Sequence, residues 1–271
     1  MRRSSVGRLV PSSRALGKDL DPVLGYRQRV LELGGKGPII VCEDIDWDEA
    51  VDGVLTQAFA RKAEVCFAGT RLFIPPKLHD RFVTALAEKV AKIPMGPPLE
   101  GTTQLGPLMT ADRVSDLVEH VKTAQKQGVK VVCGGEKVMG DGLERGNYFP
   151  PTILTGVTPD MSVAQEELFG PVLCVMTYED LDEAIEVAND SEFGLAAYVW
   201  SNDIRKSNHV ANRLENGNVF INSYGYQSEI PFGGYEVIDA RARYQGRYIR
   251  EDAAEVLTQG ALEALDRAYG G

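Results

Sequence analysis

The 271 residues, 44% of them apolar, suffice for one large α/β domain or two smaller domains and need no disulfide or metal staple. Thirty-nine acidic against 29 basic residues leave a net charge of -10, which argues against coating nucleic acid or an anionic membrane surface. No stretch reaches the roughly 18 consecutive apolar residues of a membrane helix, and the four cysteines (Cys42, Cys66, Cys133 and Cys174) form no C-x-x-C pair, a usage that fits a reducing, cytoplasmic compartment and argues against zinc.

The first eighteen residues contain five basic residues (Arg2, Arg3, Arg8, Arg14 and Lys18), four serines and no acid. That composition belongs to mitochondrial-type transit peptides as well as to disordered termini. Residues 1–28 are therefore set apart as a divergent N-terminal segment, with a mitochondrial address as the alternative location. From Arg29 the chain becomes regular. Residues 30–33 and 38–42 read as short strands separated by Gly34, Gly35 and Gly37. Asp46 precedes Glu49 by the capping-box spacing, which satisfies free amides at a helix start. Ala50, Val51, Val54, Leu55, Ala58 and Phe59 then recur at helical spacing and form one apolar stripe.

Helical patterns over 77–92, 111–127, 180–190 and 203–215 alternate with apolar runs at 72–74, 129–133, 172–176, 196–200 and 218–222. Such alternation predicts crossover units, and hence an α/β fold with a mostly parallel open sheet and helices on both faces. Gly128 and Gly217, each just ahead of a strand, are expected as helix C-cap glycines. His79, His120 and His209 lie isolated in charged helical surroundings and read as surface residues.

An open α/β sheet normally places its chemistry in loops at the carboxyl ends of strands, and four local sequences are candidates for such loops. Leu31-Glu32-Leu33-Gly34-Gly35-Lys36 sets a carboxylate among apolar residues beside two glycines, whose missing side chains let a ligand or another backbone approach closely. Glu64-Val65-Cys66-Phe67-Ala68-Gly69 puts a thiol just beyond a helix among small residues. Glu166-Glu167-Leu168-Phe169-Gly170-Pro171-Val172 joins two carboxylates and an aromatic ring to a Gly-Pro turn. Pro231-Phe232-Gly233-Gly234 is a rigid turn followed by two flexible positions. Taken singly, a loop thiol is ordinarily structural and a buried glutamate ordinarily a salt-bridge partner; the four in this order are far more specific.

In that order they resemble the aldehyde dehydrogenase family, whose catalytic half carries E-L-G-G-K, a cysteine in a C-x-A-G-x-R context, E-x-F-G-P and P-F-G-G. The spacing from Glu32 to Cys66 is similar to the family's, and Gly217-Asn218-Val219-Phe220-Ile221-Asn222 resembles the strand before P-F-G-G. The resemblance extends over 29–235, taken as a catalytic-type domain. It implies that Cys66 is a nucleophile whose thiolate attacks an aldehyde carbonyl to give a thiohemiacetal, and that hydride transfer to NAD or NADP then leaves a thioester. It implies Glu32 as the general base, a role suited to a carboxylate whose pKa is raised by apolar flanks. Glu167 matches the position that holds the nicotinamide ribose hydroxyls, Phe169 the ring that packs near the nicotinamide, and Gly34 belongs to the same cofactor-binding set. No metal is implied.

The sequence also departs from the family pattern. The dinucleotide-binding half that precedes E-L-G-G-K is almost wholly absent, only Ser5-Val6-Gly7-Arg8 resembling its end, so binding of NAD or NADP is expected to be weak. The asparagine that donates to the oxyanion belongs to that half, and such a donor is typically worth a factor of about a hundred to a thousand in rate. Where the family reads N-x-G-Q-x-C, this chain reads Arg61-Lys62-Ala63-Glu64-Val65-Cys66. Glu64 thus brings negative charge close to the thiol, opposed by Arg61 and Lys62. Glu236 stands at an expected lysine and 253–268 reads as a helix, which makes 236–271 a divergent, partly helical tail. Three readings follow: an aldehyde-oxidising enzyme, alone or with a partner chain of the same superfamily; a truncated pseudoenzyme or assembly subunit that binds intact protomers; or a cofactor-independent thiol esterase using Cys66 and Glu32.

Overall fold

Amphipathic helices and apolar strands alternate along the chain as the spacing predicts, and they assemble around a single sheet in the computed structural model, which describes residues 34–140, 142–224 and the backbone of 246–249. The order is β1 (Gly37–Val41), α1 (Trp47–Phe59), β2 (Gly69–Ile74), α2 (Pro76–Val90), α3 (Ala111–Lys126), β3 (Lys130–Cys133), β4 (Thr152–Thr155), α4 (Ser162–Gln165), β5 (Val172–Thr177), α5 (Leu181–Asn189), β6 (Ala196–Trp200), α6 (Ile204–Arg213), β7 (Asn218–Ile221) and β8 (Gly246–Ile249). Across the sheet the strands run β3-β4-β5-β2-β1-β6-β7-β8, and of the neighbouring pairs only β3 with β4 is antiparallel. The expected strand at 30–33, Glu32, the turn at 231–234 and the expected helix at 253–268 lie outside the described residues.

Successive residues of a strand face opposite ways, and both faces are covered, so the central strands are apolar throughout. Ile39, Leu72, Val175 and Tyr198 pack with α1 and α2 on one face. Ile40, Phe73, Cys174 and Val199 pack with α3, α5 and α6 on the other. Three helices begin at aspartates whose carboxylates accept backbone N–H groups of the first turn, an arrangement worth about 1 kcal/mol each. Asp46 caps α1, Asp180 caps α5 and Asp203 caps α6.

Gly128, with φ at 95°, closes α3 as expected. Gly217 does not play this part. The helix before it ends at Arg213, with Leu214 extended as its cap, and the Arg213 carbonyl is satisfied from the neighbouring helix by Asn189 Nδ2 at 2.9 Å. That side-chain cap removes the need for a left-handed glycine. The Gly217 N–H instead donates to the Gly194 carbonyl at 2.8 Å, on the way into β7.

Candidate active site

The motif residues gather at the amino ends of three neighbouring strands. Gly34 and Gly35 lie just ahead of β1, Cys66 ahead of β2, and Glu167 and Phe169 ahead of β5. This corrects the expectation of a site at the carboxyl ends. The physical reason is the crossover itself: α1 returns the chain from the carboxyl end of β1 to the amino end of β2, so the thiol loop follows the C-terminus of α1, and close approach depends on glycine backbone rather than on a helix amino end. The carboxyl ends border a cavity of about 410 Å³ lined by Cys42, Tyr178, Lys206 and their neighbours, none of them a motif residue.

Gly35 joins the three segments. Its N–H donates to Glu167 Oε1 at 2.9 Å, and a β-carbon at this position would stand 2.1 Å from the Cys66 carbonyl oxygen. A β-carbon on Gly34 would stand 2.0 Å from Glu167 Oε2. Any side chain at either position would push the glutamate or the cysteine loop away, so the glycine pair is what allows residues more than a hundred positions apart to meet. Glu167 is half-buried; desolvation pushes its carboxyl above the usual range, while the Gly35 N–H, Lys36 and Arg113 pull the other way. Phe169 has φ at 50°. A left-handed phenylalanine costs roughly 1–2 kcal/mol, and strain of this kind collects at functional sites.

The loop that carries Cys66 is strained and pinned from both sides. After α1, a 3₁₀ turn (Ala60–Ala63) contains three successive left-handed residues, Arg61, Lys62 and Ala63, at φ 54°, 63° and 51°. Lys62 Nζ donates to the Pro107 carbonyl at 3.0 Å and pairs with Glu64 Oε2 at 2.7 Å. Glu64 Oε1 accepts the Met109 N–H at 2.9 Å. The charge of Glu64 is therefore matched by Lys62, whereas Arg61 lies exposed with its guanidinium 5.9 Å from the Phe67 ring centroid. From the sheet, Tyr198 donates its hydroxyl to the Phe67 carbonyl at 2.6 Å. Burial pushes that hydroxyl up, and proximity to Cys66 adds to the shift.

Two basic residues close to the glycine turn are buried: Lys36, which follows it directly, and Arg71, each 2% exposed. Arg71 donates to the Lys36 carbonyl at 2.9 Å and the Ala188 carbonyl at 2.8 Å, and burial lowers its pKa to about 10. Lys36 Nζ has no hydrogen-bond partner among the described residues. Lys36 and Tyr198 are the site's residues that sequence reasoning passed over. The apolar run after the glycines was a readable signal that Lys36 is buried; Tyr198 left no local signal.

Thiol environment separates the cysteines. Burial pushes Cys42 up to about 11, with Asp44 adding to the shift. Burial also raises Cys133 and Cys174, whereas Cys66 is half-buried in its loop and no disulfide involves any of the four. Thiolate is the reactive form, so brief iodoacetamide treatment at neutral pH followed by peptide mapping is expected to label Cys66 first. Earlier labelling of Cys133 or Cys174 would contradict the ordering.

Comparisons with known proteins bear on this arrangement. The profile of the aldehyde dehydrogenase family matches residues 6–252. A betaine aldehyde dehydrogenase of Brucella melitensis is 40% identical over 207 residues, which are 76% of this chain and 42% of the relative. A crystal structure of betaine aldehyde dehydrogenase from Staphylococcus aureus in complex with NAD+ superposes with a TM-score of 0.80 at 35% identity, covering 84% of this chain and 46% of that one. The NAD+ complex of an aldehyde dehydrogenase from Bacillus cereus gives 0.79 at 35% identity, with the same coverage. The chain thus spans less than half the length of the relatives it matches.

Proposed function

Because the chain belongs to the aldehyde dehydrogenase family, we propose that it carries the covalent chemistry of aldehyde oxidation, with Cys66 as nucleophile and the Gly34, Glu167 and Phe169 cluster addressing the nicotinamide riboside end of NAD or NADP. The single observation that supports this reading most is the junction at Gly35, where the glutamate and cysteine motifs meet through a 2.9 Å hydrogen bond and a backbone contact that only glycine permits.

The residues fit the cofactor at that end. Glu167 Oε1 is engaged by the Gly35 N–H, and Oε2 lies over Gly34 in a cradle that a β-carbon would fill. A carboxylate held in this way accepts hydrogen bonds from a pair of ribose hydroxyls. Bound there, the nicotinamide supplies a hydride acceptor. The chain's own part is to present Cys66 from a loop fixed by Tyr198, Lys62 and Glu64. The thiolate adds to the aldehyde carbon and forms a C–S bond, while the carbonyl π pair moves to oxygen. Once the carbon is oxidised to a thioester, water attacks it; Glu32, assigned by its motif alone, takes the proton, and Cys66 leaves as thiolate with the carboxylate released.

The test is NADH formation from NAD+ and a small aldehyde, with the carboxylate product quantified alongside, for the wild type and Cys66→Ser. The reading expects equal amounts of NADH and carboxylate in the wild type and loss of both in the variant. Equal turnover by the two proteins would overturn it.

A further inference from the structure

The thiol loop and the Glu167 turn, which meet at Gly35, are also joined by a second route through the amino end of α3. The segment Pro107 to Thr110 leads into that helix and is bonded from several directions. Lys62 Nζ donates to the Pro107 carbonyl, the Leu108 N–H donates to the Asn147 carbonyl at 2.8 Å, and the Met109 N–H donates to Glu64 Oε1 at 2.9 Å. The Glu64 side chain is 6% exposed and holds Lys62 with its other oxygen at 2.7 Å, so Met109 is fastened to the loop two residues before Cys66. Thr110 then caps α3, its hydroxyl accepting the Arg113 N–H at 3.2 Å.

Arg113 carries the connection on to the cofactor turn. Its half-buried guanidinium donates through Nη1 to the Leu168 carbonyl at 3.2 Å. That carbonyl belongs to the peptide between Leu168 and Phe169, and Phe169 is left-handed at φ 50°. Flipping the peptide is the direct way to relieve such a φ, and the hydrogen bond opposes the flip. One turn further along α3, Leu117 packs under Gly170, where a β-carbon would stand 2.5 Å from Leu117 Cδ1. The circuit closes at Glu167, whose Oε1 accepts the N–H of Gly35, the residue packed on the Cys66 carbonyl. Strained segments persist only where their surroundings over-determine them, and here one helix end holds both.

We propose that the first turn of α3 is a brace shared by the nucleophile loop and the cofactor turn, with Glu64 and Arg113 as the positioning residues at its two ends: Glu64 fixes the Cys66 loop to the Met109 N–H, and Arg113 fixes the Leu168 carbonyl between Glu167 and Phe169. This inference deepens the reading of Cys66, Glu167 and Phe169 given above and rests on it for its functional meaning. The mechanical coupling between the two segments is independent of that reading.

Hydrogen exchange of the full chain, followed peptide by peptide with mass spectrometry, distinguishes a shared brace from two local contacts. Arg113→Met is expected to speed exchange by about tenfold or more over 64–69, the segment tied to the opposite end of the brace, and Glu64→Ala to do the same over 166–170. Glu64→Gln, whose Oε1 still accepts the Met109 N–H, is expected to restore most of the protection. Faster exchange confined in each variant to its own end, or Glu64→Gln as fast as Glu64→Ala, overturns the proposal. Should Arg113→Met or Glu64→Ala fail to fold by near-ultraviolet circular dichroism, Thr110→Ala replaces it. Thr110 is exposed and lies in the middle of the brace, so its loss is expected to speed exchange at both ends, and unchanged protection at either end is fatal. With p-nitrophenyl acetate as probe, folded Arg113→Met is expected to lower turnover about tenfold or more, because a misplaced nucleophile loses rate even where the substitution is remote; unchanged turnover overturns the positioning role. Hydrolysis by Cys66→Ser at the wild-type rate would instead remove the nucleophile reading and leave the brace to stand or fall on hydrogen exchange.

Discussion

Cys66→Ser is expected to reduce cofactor-independent hydrolysis of p-nitrophenyl acetate by about a thousandfold, to near the uncatalysed rate. Attack on an activated ester needs a nucleophile and a base but no hydride acceptor, so this activity isolates the thiol from cofactor binding. A serine hydroxyl ionises far less readily than a thiol and is a much weaker nucleophile beside a carboxylate base. Glu32→Gln is expected to keep an initial burst of nitrophenol while slowing steady turnover, since loss of the base hinders water more than it hinders the thiol. Stopped-flow absorbance distinguishes the two phases. Equal slow rates in the wild type and both variants would remove the enzymatic readings for this chain and favour a role in binding other protomers.

Gly53→Ala is expected to destabilise the fold by about 3 kcal/mol, the upper range for overpacking a core. Gly53 sits within α1, where alanine by itself would add about 1 kcal/mol of helix propensity. The sign is decided by Trp200, because a β-carbon on Gly53 would stand 1.8 Å from Cζ2 of the indole. Trp200 is 2% exposed and has little room to move. Its Nε1 donates to Gln57 Oε1 at 3.2 Å, and Gln57 Nε2 donates to the Ser223 carbonyl at 2.7 Å. Relief of the clash by lifting α1 would break that chain of hydrogen bonds and shift the helix that leads to the Cys66 loop. Thermal unfolding should fall by roughly 6–10 °C in a chain of this size. A second substitution, Trp200→Leu, should make the alanine far less harmful, since the two positions touch and their effects are coupled. A stabilised Gly53→Ala single variant would show that the contact is not present.

The lesson about legibility lies in particular elements. α1 was readable to its first residue: Asp46 and Glu49 mark its start, and its apolar stripe is the one that packs against Ile39 and Leu72. The alternation of runs likewise sufficed for a parallel sheet with both faces covered. β4 (Thr152–Thr155) left no comparable signal, because four residues after two prolines carry no measurable period. It becomes a strand by pairing with β5 on one side and β3 on the other. β8 (Gly246–Ile249) was missed for the same reason, its partner being β7.

What the amino-acid order carried by itself was therefore the class of fold, because alternation and capping act between residues close in the chain, and the resemblance of four motifs to one family; Cys66, Glu32, Glu167, Phe169 and Gly34 were its candidates for the site. Tertiary structure decided which end of the sheet carries the site, since that follows from how α1 returns the chain to β2. It also decided that the Lys36 ammonium position finds no hydrogen-bond partner among the described residues, that Tyr198 fixes the thiol loop, and that Asn189 rather than Gly217 caps α6. Each of these depends on side chains and backbones brought together across the sheet from distant segments, and burial and hydrogen bonding between such partners have no local pattern in one dimension.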